Sequence, residues 1–291
     1  MPDFVTLDND QARQLIDAQQ LYAVYRTARA ELSTVFSGTM RWRTIAGADY
    51  LVKKIDGKET SLGRRSRETE AAFDAFQAGR KRLRNRKAST LARLKAMDRV
   101  NVAYRLGRVP DLPARIMDAL DRTGLMGAGV VVVGTTALFA YEAMAAVRFE
   151  TGIVATQDFD LMMDARAGLK LAGHASLRDR VMSALVAADR TFVGQYGEFA
   201  VNAAGFEVDL LDRDDSGPAP LDGRASEAIA IGQSGRPVRM AVPMPAAFAA
   251  HKAWLAKEPS RNPAKRARDA AQAVAIVAAL GSYVPPAIGS Q

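Results

Sequence analysis

Asp158-Phe159-Asp160 leads directly into Leu161-Met162-Met163, and the run 158–163 reads as a strand. On a strand, residues i and i+2 face one side, so Asp158 and Asp160 share a face while Phe159 and Leu161 turn toward a core. Two carboxylates on one face repel each other. A divalent cation between them is the usual resolution, and hard Mg²⁺ (or Mn²⁺) suits carboxylate together with phosphate oxygen. Further along, Phe206-Glu207-Val208-Asp209-Leu210-Leu211 alternates as a strand and brings Asp209 as a third ligand. Three carboxylates can hold two ions, one activating an attacking hydroxyl and one bridging a triphosphate. An isolated Asp-x-Asp is more often a pair of solvated edge-strand aspartates. Asp209 downstream and a small-residue turn upstream favour metal here.

That turn is Gly134-Thr135-Thr136, which follows the apolar run Val130–Val133. Glycine after a strand lets the backbone turn and approach a ligand closely. The N–H groups opening the next helix would then face an anion, with the Thr135 and Thr136 hydroxyls as donors to phosphate. An ordinary strand-to-helix turn with a threonine cap is the plain alternative. The turn matches neither the longer phosphate loop G-x-x-x-x-G-K-[ST] nor G-x-G-x-x-G.

Cations near the end of the chain could meet a triphosphate. Lys252 sits mid-helix beside His251 and Trp254. Arg261, Lys265 and Arg268 are spaced by four and three, which is one helical face if the helix starts early enough. Lys265 and Asp269 also stand four apart, so an ordinary surface pair is the alternative for them. The two histidines, His174 and His251, are too few and too distant to suggest a metal cage, and no Ser/His/Asp motif is present.

Several elements must position these residues. A helix is expected over about 8–36 and a β-hairpin over 39–56, turning at Ala46-Gly47-Ala48-Asp49. A polar loop over 61–66 follows, with Ser66 capping a helix that runs from 67 to about 103. Within it, Arg80-Lys81-Arg82-Leu83-Arg84-Asn85-Arg86-Lys87 has six basic residues in eight. They point all round the helix, so this turn should project into solvent or onto a partner. Pro110 and Pro113 mark a boundary. Then come a short helix at 113–123, the strand Val130–Val133, a helix at 135–147 and the strand 158–163. A helix at 176–189 follows, with strands at 191–195, 198–202 and 206–211 and a loop over 212–223. Two more strands, at 227–231 and 237–241, precede helices at 245–257 and 263–280.

The chain has 291 residues, 48% of them hydrophobic, which is enough for one large domain or two small ones. It has no cysteine, which excludes disulfides, thiolate metal sites and cysteine nucleophiles and fits a reducing cytoplasm. No apolar run suggests a membrane span, and the start MPDFVTLDND does not read as a secretory signal. Net charge is +8, and it is uneven: residues 1–110 carry 22 Lys/Arg against 12 Asp/Glu, whereas 111–291 carry 18 against 20. A basic front half suggests an anionic partner such as nucleic acid, a solvated arginine-rich surface being the alternative.

Taken together, Gly134-Thr135, Asp158-Phe159-Asp160 and Asp209 resemble the motifs of the nucleotidyltransferase superfamily that includes DNA polymerase β and the CCA-adding enzymes. The wider layout, with Thr156-Gln157 leading into Asp158 and a cationic helical tail, is similar to abortive-infection-type toxin nucleotidyltransferases. It is more similar still to a little-characterised bacterial family whose hairpin and loop read like Met40–Lys54 and Ser61–Glu70. The resemblance implies an α/β (α+β) nucleotidyltransferase fold with a mixed sheet, N-terminal helices and hairpin, and a C-terminal helical section. The boundaries expected are 1–110, 111–242 and 243–291.

It also implies transfer of a nucleoside monophosphate from NTP to an acceptor hydroxyl. Asp158 and Asp160 would bind both metals, and Asp209 would complete the site and help deprotonate the acceptor. Gly134, Thr135 and Thr136 would hold the β- and γ-phosphates, Lys252 would neutralise their charge, and Lys265 and Arg268 would assist. Arg80, Lys81, Arg82, Arg84, Arg86 and Lys87 would recruit an RNA acceptor such as tRNA. In a toxin, an antitoxin protein would be a further partner. A protein or small-molecule acceptor, and a catalytically silent fold that binds nucleic acid or protein, stay open as alternatives. Between Gly134 and Asp158 the chain is longer than in minimal members, leaving room for an extra turn or strand around Thr151–Ala155 that could displace the Gly-Thr turn.

Overall fold

The computed structural model describes residues 4–156, 158–164, 176–195, 198–213 and 225–281. Contacts divide the chain into two compact units, Asp17–Asp98 and the combination of Met1–Ile16 with Arg99–Gln291. The expected His174, Gln157 and most of the 212–223 loop lie outside the described residues.

The 17–98 unit holds most of α1 (Asn9–Ser33), a three-stranded antiparallel meander of β2 (Thr39–Ile45), β3 (Ala48–Ile55) and β4 (Lys58–Arg64), and most of α2 (Arg67–Ala103). The region 61–66, expected as a loop, is largely the third strand: Val52 pairs with Ser61 and Ile55 with Lys58 across the sheet. The missed signal is Asp56-Gly57, both with positive φ (47° and 83°), the backbone that a two-residue hairpin turn requires. β4 is polar on both faces, so alternation could not reveal it. Trp42 packs its ring 5.8 Å from Phe73 and joins the meander to α2.

α2 begins where expected, and Ser66 Oγ accepts the Thr69 N–H. One expectation within it holds for the cations alone. The basic turn does not lie free on every side, because Leu83 is buried in a stripe with Phe76, Thr90 and Leu94. A single leucine among cations suffices, since its neighbours on the stripe lie two or three turns away. Lys81, Arg82, Arg84 and Arg86 are exposed, and Arg80 and Lys87 half-buried. The 17–98 unit carries 18 Lys/Arg against 9 Asp/Glu, and the remainder of the chain 22 against 23. All of the excess positive charge therefore belongs to this unit.

The other unit is built on a mixed sheet in the order β5 (Val130–Val132), β7 (Phe159–Met163), β10 (Glu207–Asp212), β9 (Phe199–Val201), β8 (Val193–Gln195). Only the central β7–β10 pairing is parallel. α3 (Asp111–Arg122) buries Ile116, Met117 and Leu120, which recur at helical spacing, and α6 (Leu177–Ala188) buries Val181 and Leu185. β11 (Ala225–Ile231) pairs with β12 (Pro237–Pro243), and every residue of β12 is buried. No helix among the described residues is long and apolar enough to cross a membrane.

The helix expected over 135–147 is three pieces. A 3₁₀ turn covers Thr135–Ala137, α4 covers Leu138–Ala145, and Ala146 at φ 52° turns the chain into β6 (Val147–Phe149). β6 pairs with the unforeseen β1 (Phe4–Thr6), a partnership too distant and too short to read from pattern. The α4-to-β6 reversal is tied by buried Glu142, which accepts Arg108 at 3.1 and 2.9 Å and the Phe149 N–H at 2.8 Å. Burial raises the Glu142 carboxyl above its usual range, with Arg108 holding it down in part. A short α5 (Thr151–Val154) occupies the extra length before Asp158. α7 (Pro245–Leu255) and α8 (Pro263–Leu280) close the unit.

Candidate active site

β7 and β10 run side by side with Asp160 in register with Asp209. Strand alternation sends Phe159, Leu161, Val208 and Leu210 into the core, so Asp160 and Asp209 face the opposite side together. Asp158 stands just before β7 and is exposed, its N–H donating to Thr156 Oγ1 at 3.3 Å. Asp160 is pushed up to about 6, first by burial and then by the charge and hydrogen bond of Asp209 and the charge of Asp158.

Gly134 closes the strand-to-turn junction from the other side. Its φ is 62°, and a Cβ built there would lie 1.8 Å from Asp160 Oδ2 and 2.7 Å from Asp160 Cγ. Any side chain at this position would displace the carboxylate, and an L-residue would be strained as well. The Val133 N–H donates to Asp160 O at 3.1 Å, which holds the turn against β7. Thr135 lines the cleft beyond the turn. Thr136 is buried beneath it and does not line the cleft. The extra segment does not displace the turn.

α7 and the start of α8 form the facing wall. Lys252 is buried and donates to Asp269 Oδ1 at 2.8 Å; Arg261 Nε donates to Asp269 Oδ2. Burial lowers the Lys252 ammonium, which Asp269 partly restores. Burial alone would raise Asp269, but hydrogen bonds from Lys252 and Arg261 hold it below its ordinary range. The Lys265–Asp269 surface pair anticipated from spacing is therefore not formed by a surface residue: Asp269 has no exposure and serves the two other cations. α8 starts at Pro263, so Arg261 precedes the helix, yet it lines the same cleft as Lys265 and Arg268.

The cleft encloses about 470 Å³ and brings together Gly134, Thr135, Asp158, Asp160, Asp209, Lys252, Lys265 and Arg268. Sequence reasoning gave Asp269 only a surface pair and gave Thr156 and His251 no place in the cleft. For Asp269 a signal existed: Asp269, Gln272, Ala273, Ile276 and Leu280 repeat at three and four along α8, which is the spacing of a buried stripe. The six basic residues of 80–87 belong to the other unit.

Residues 112–227 and 221–290 match a family described as Nucleotidyltransferase. The chain belongs to this family. No curated protein and no solved structure matches it. In this nucleotidyltransferase, no group of three or more His, Cys, Asp or Glu among the described residues forms a ready-made metal cage. Asp209 reaches the Asp160 carboxyl, and Asp158 acts on Asp160 through its charge. That donor set suits an ion held by one or two carboxylates and completed by phosphate oxygens of a substrate, which is how Mg²⁺ is commonly held. The raised Asp160 carboxyl marks the place where positive charge would relieve the most repulsion.

Proposed function

We propose that this nucleotidyltransferase moves a nucleoside monophosphate from an NTP to a hydroxyl of an RNA acceptor, tRNA being the chief candidate, with Mg²⁺ or Mn²⁺. The observation that carries the reading is the convergence of Asp158, Asp160 and Asp209 on one cleft with the Gly134-Thr135 turn and a cationic wall. Asp158, Asp160 and Asp209 would hold the metal. When bound, it would supply charge neutralisation for the triphosphate and acidify the acceptor hydroxyl. Gly134 lets the turn approach this site, and Thr135 donates to phosphate. Lys265 and Arg268, with Arg261, offset the charge of the departing pyrophosphate. Lys252, already bonded to Asp269, contributes field and shape at the cleft floor. Asp209 takes up the acceptor proton. Met162, Leu211, Phe248, Trp254 and Leu255 give the cleft an apolar portion suited to a nucleobase or an unpaired acceptor base.

The RNA acceptor is favoured by the charge of the 17–98 unit, whose exposed Lys81, Arg82, Arg84 and Arg86 offer contacts to a phosphate backbone. A toxin role adds that the modified tRNA no longer supports translation, an antitoxin protein being the partner that restrains it. Label from each α-labelled NTP is expected in cellular RNA, with Mg²⁺ or Mn²⁺, from the wild-type protein and not from the Asp158→Ala/Asp160→Ala variant. Label in protein instead of RNA would overturn the acceptor assignment while keeping the site. Equal labelling by the variant would remove the site assignment.

A further inference from the structure

Gln272 lies on α8, fully buried on the stripe that also carries Asp269, Ala273 and Ile276. Its Nε2 donates to Ile153 O at 2.7 Å and to Thr135 Oγ1 at 3.3 Å. Its Oε1 has no hydrogen-bond partner among the described residues. The short contact to a backbone carbonyl requires the nitrogen on that side, so the orientation of the amide follows from its surroundings. One turn earlier on α8, Arg268 Nη1 donates to Ala155 O at 2.9 Å. α8 therefore grips the stretch 153–155, which leads into Asp158, and with the same glutamine grips the turn that begins at Gly134.

As a stability device this is poor. A buried amide acceptor without a partner costs free energy, which offsets what the bond to Ile153 O contributes. The hydrogen bond to Thr135 has a directional consequence instead. Thr135 Oγ1 accepts from Gln272, so its own hydroxyl hydrogen is free to point away from the amide, and Thr135 lines the cleft. Accepting one hydrogen bond also polarises a hydroxyl and makes it a better donor.

We infer that Gln272 is a positioning residue that sets Thr135 as a phosphate donor and couples the extra 151–155 segment to the nucleotide turn. This rests on the proposed NTP-binding role of the cleft. The test is a double-mutant cycle on NTP affinity, read as KM in the transfer assay and as the Kd of a nonhydrolysable NTP with Mg²⁺. The variants are Gln272→Met and Thr135→Val, each close in volume to the native side chain, and their combination. Each single change is expected to weaken NTP binding about tenfold, with kcat changed less than KM. The double variant is expected to be no weaker than the weaker single, because both remove one bond. The thermal midpoint of Gln272→Met is expected near that of wild type, because removal of the unpartnered acceptor offsets loss of the hydrogen bond to Ile153 O. If that variant melts low, Gln272→Leu provides the same cycle. Unchanged NTP affinity in the Gln272 variants, or losses that multiply in the double variant, would overturn the inference. Failure of the wild-type protein to bind NTP would instead overturn the functional reading beneath it.

Discussion

Replacing Asp160 by Asn is expected to lower nucleotidyl transfer at least about a thousandfold, and at the same time to stabilise the metal-free protein above pH 6. The loss of activity follows from removing the carboxylate nearest the turn, which costs several kcal/mol of charge stabilisation in the transition state. The gain in stability follows from proton linkage. Asp160 is raised from 3.8 to about 6 by burial and by Asp209 and Asp158. An acid whose folded value lies above its unfolded value destabilises the native state once it must ionise. The penalty is absent below about pH 4, grows from there to about pH 6 and is complete above it. Asparagine never ionises and escapes it. The expected difference at pH 8 in EDTA is at most about 3 kcal/mol, from 1.36 kcal/mol per unit. Thermal midpoints at pH 4 and pH 8 check this: the variant should gain on wild type only at the higher pH. A variant that is less stable at pH 8 would show that Asp160 is held as a favourable structural ion, against the strain expected of a cation site.

The second large effect concerns the opposite wall. Asp269→Leu leaves the Lys252 ammonium buried with its hydrogen-bond partner removed. Breaking one side of a buried ion pair costs about 3–5 kcal/mol, whereas replacing both partners by apolar residues of similar volume is often neutral. Urea denaturation should therefore show Asp269→Leu strongly destabilised and Lys252→Met/Asp269→Leu restored to near wild type. Arg261 is only partly buried and can turn its charge to solvent. Transfer should stay low in the restored double variant, because the cleft floor has lost its cation. Restored activity alongside restored stability would assign Lys252 and Asp269 to folding alone.

These expectations depend on features that differ in how visible they are in the chain. Asp158 and Asp160 could be paired from spacing alone, since strand periodicity is local and their apolar neighbours Phe159 and Leu161 set the face. Asp209 was legible for the same reason, although its register opposite Asp160 was not, because a parallel pairing is chosen by the rest of the sheet. α2 was visible end to end, its cap and long amphipathic run being local signals, yet the burial of Leu83 depends on a partner surface. β1 and β6 escaped because three residues carry no period. The bonds of Asp269 to Lys252, and of Gln272 to Thr135 and Ile153, join positions far apart in the chain. Their polar side chains on a buried stripe were the only trace, and on a sequence they look like surface residues.

The most direct measurement of the central claim is equilibrium binding of an NTP analogue with a nonhydrolysable α,β-bridge, in Mg²⁺ and in EDTA, to the wild-type protein and to Asp160→Asn. Binding is expected in wild type with Mg²⁺, with a large loss in EDTA and a comparable loss in Asp160→Asn. Binding of equal strength in all four conditions, or none in any, would contradict a cleft that works by holding metal-bound triphosphate.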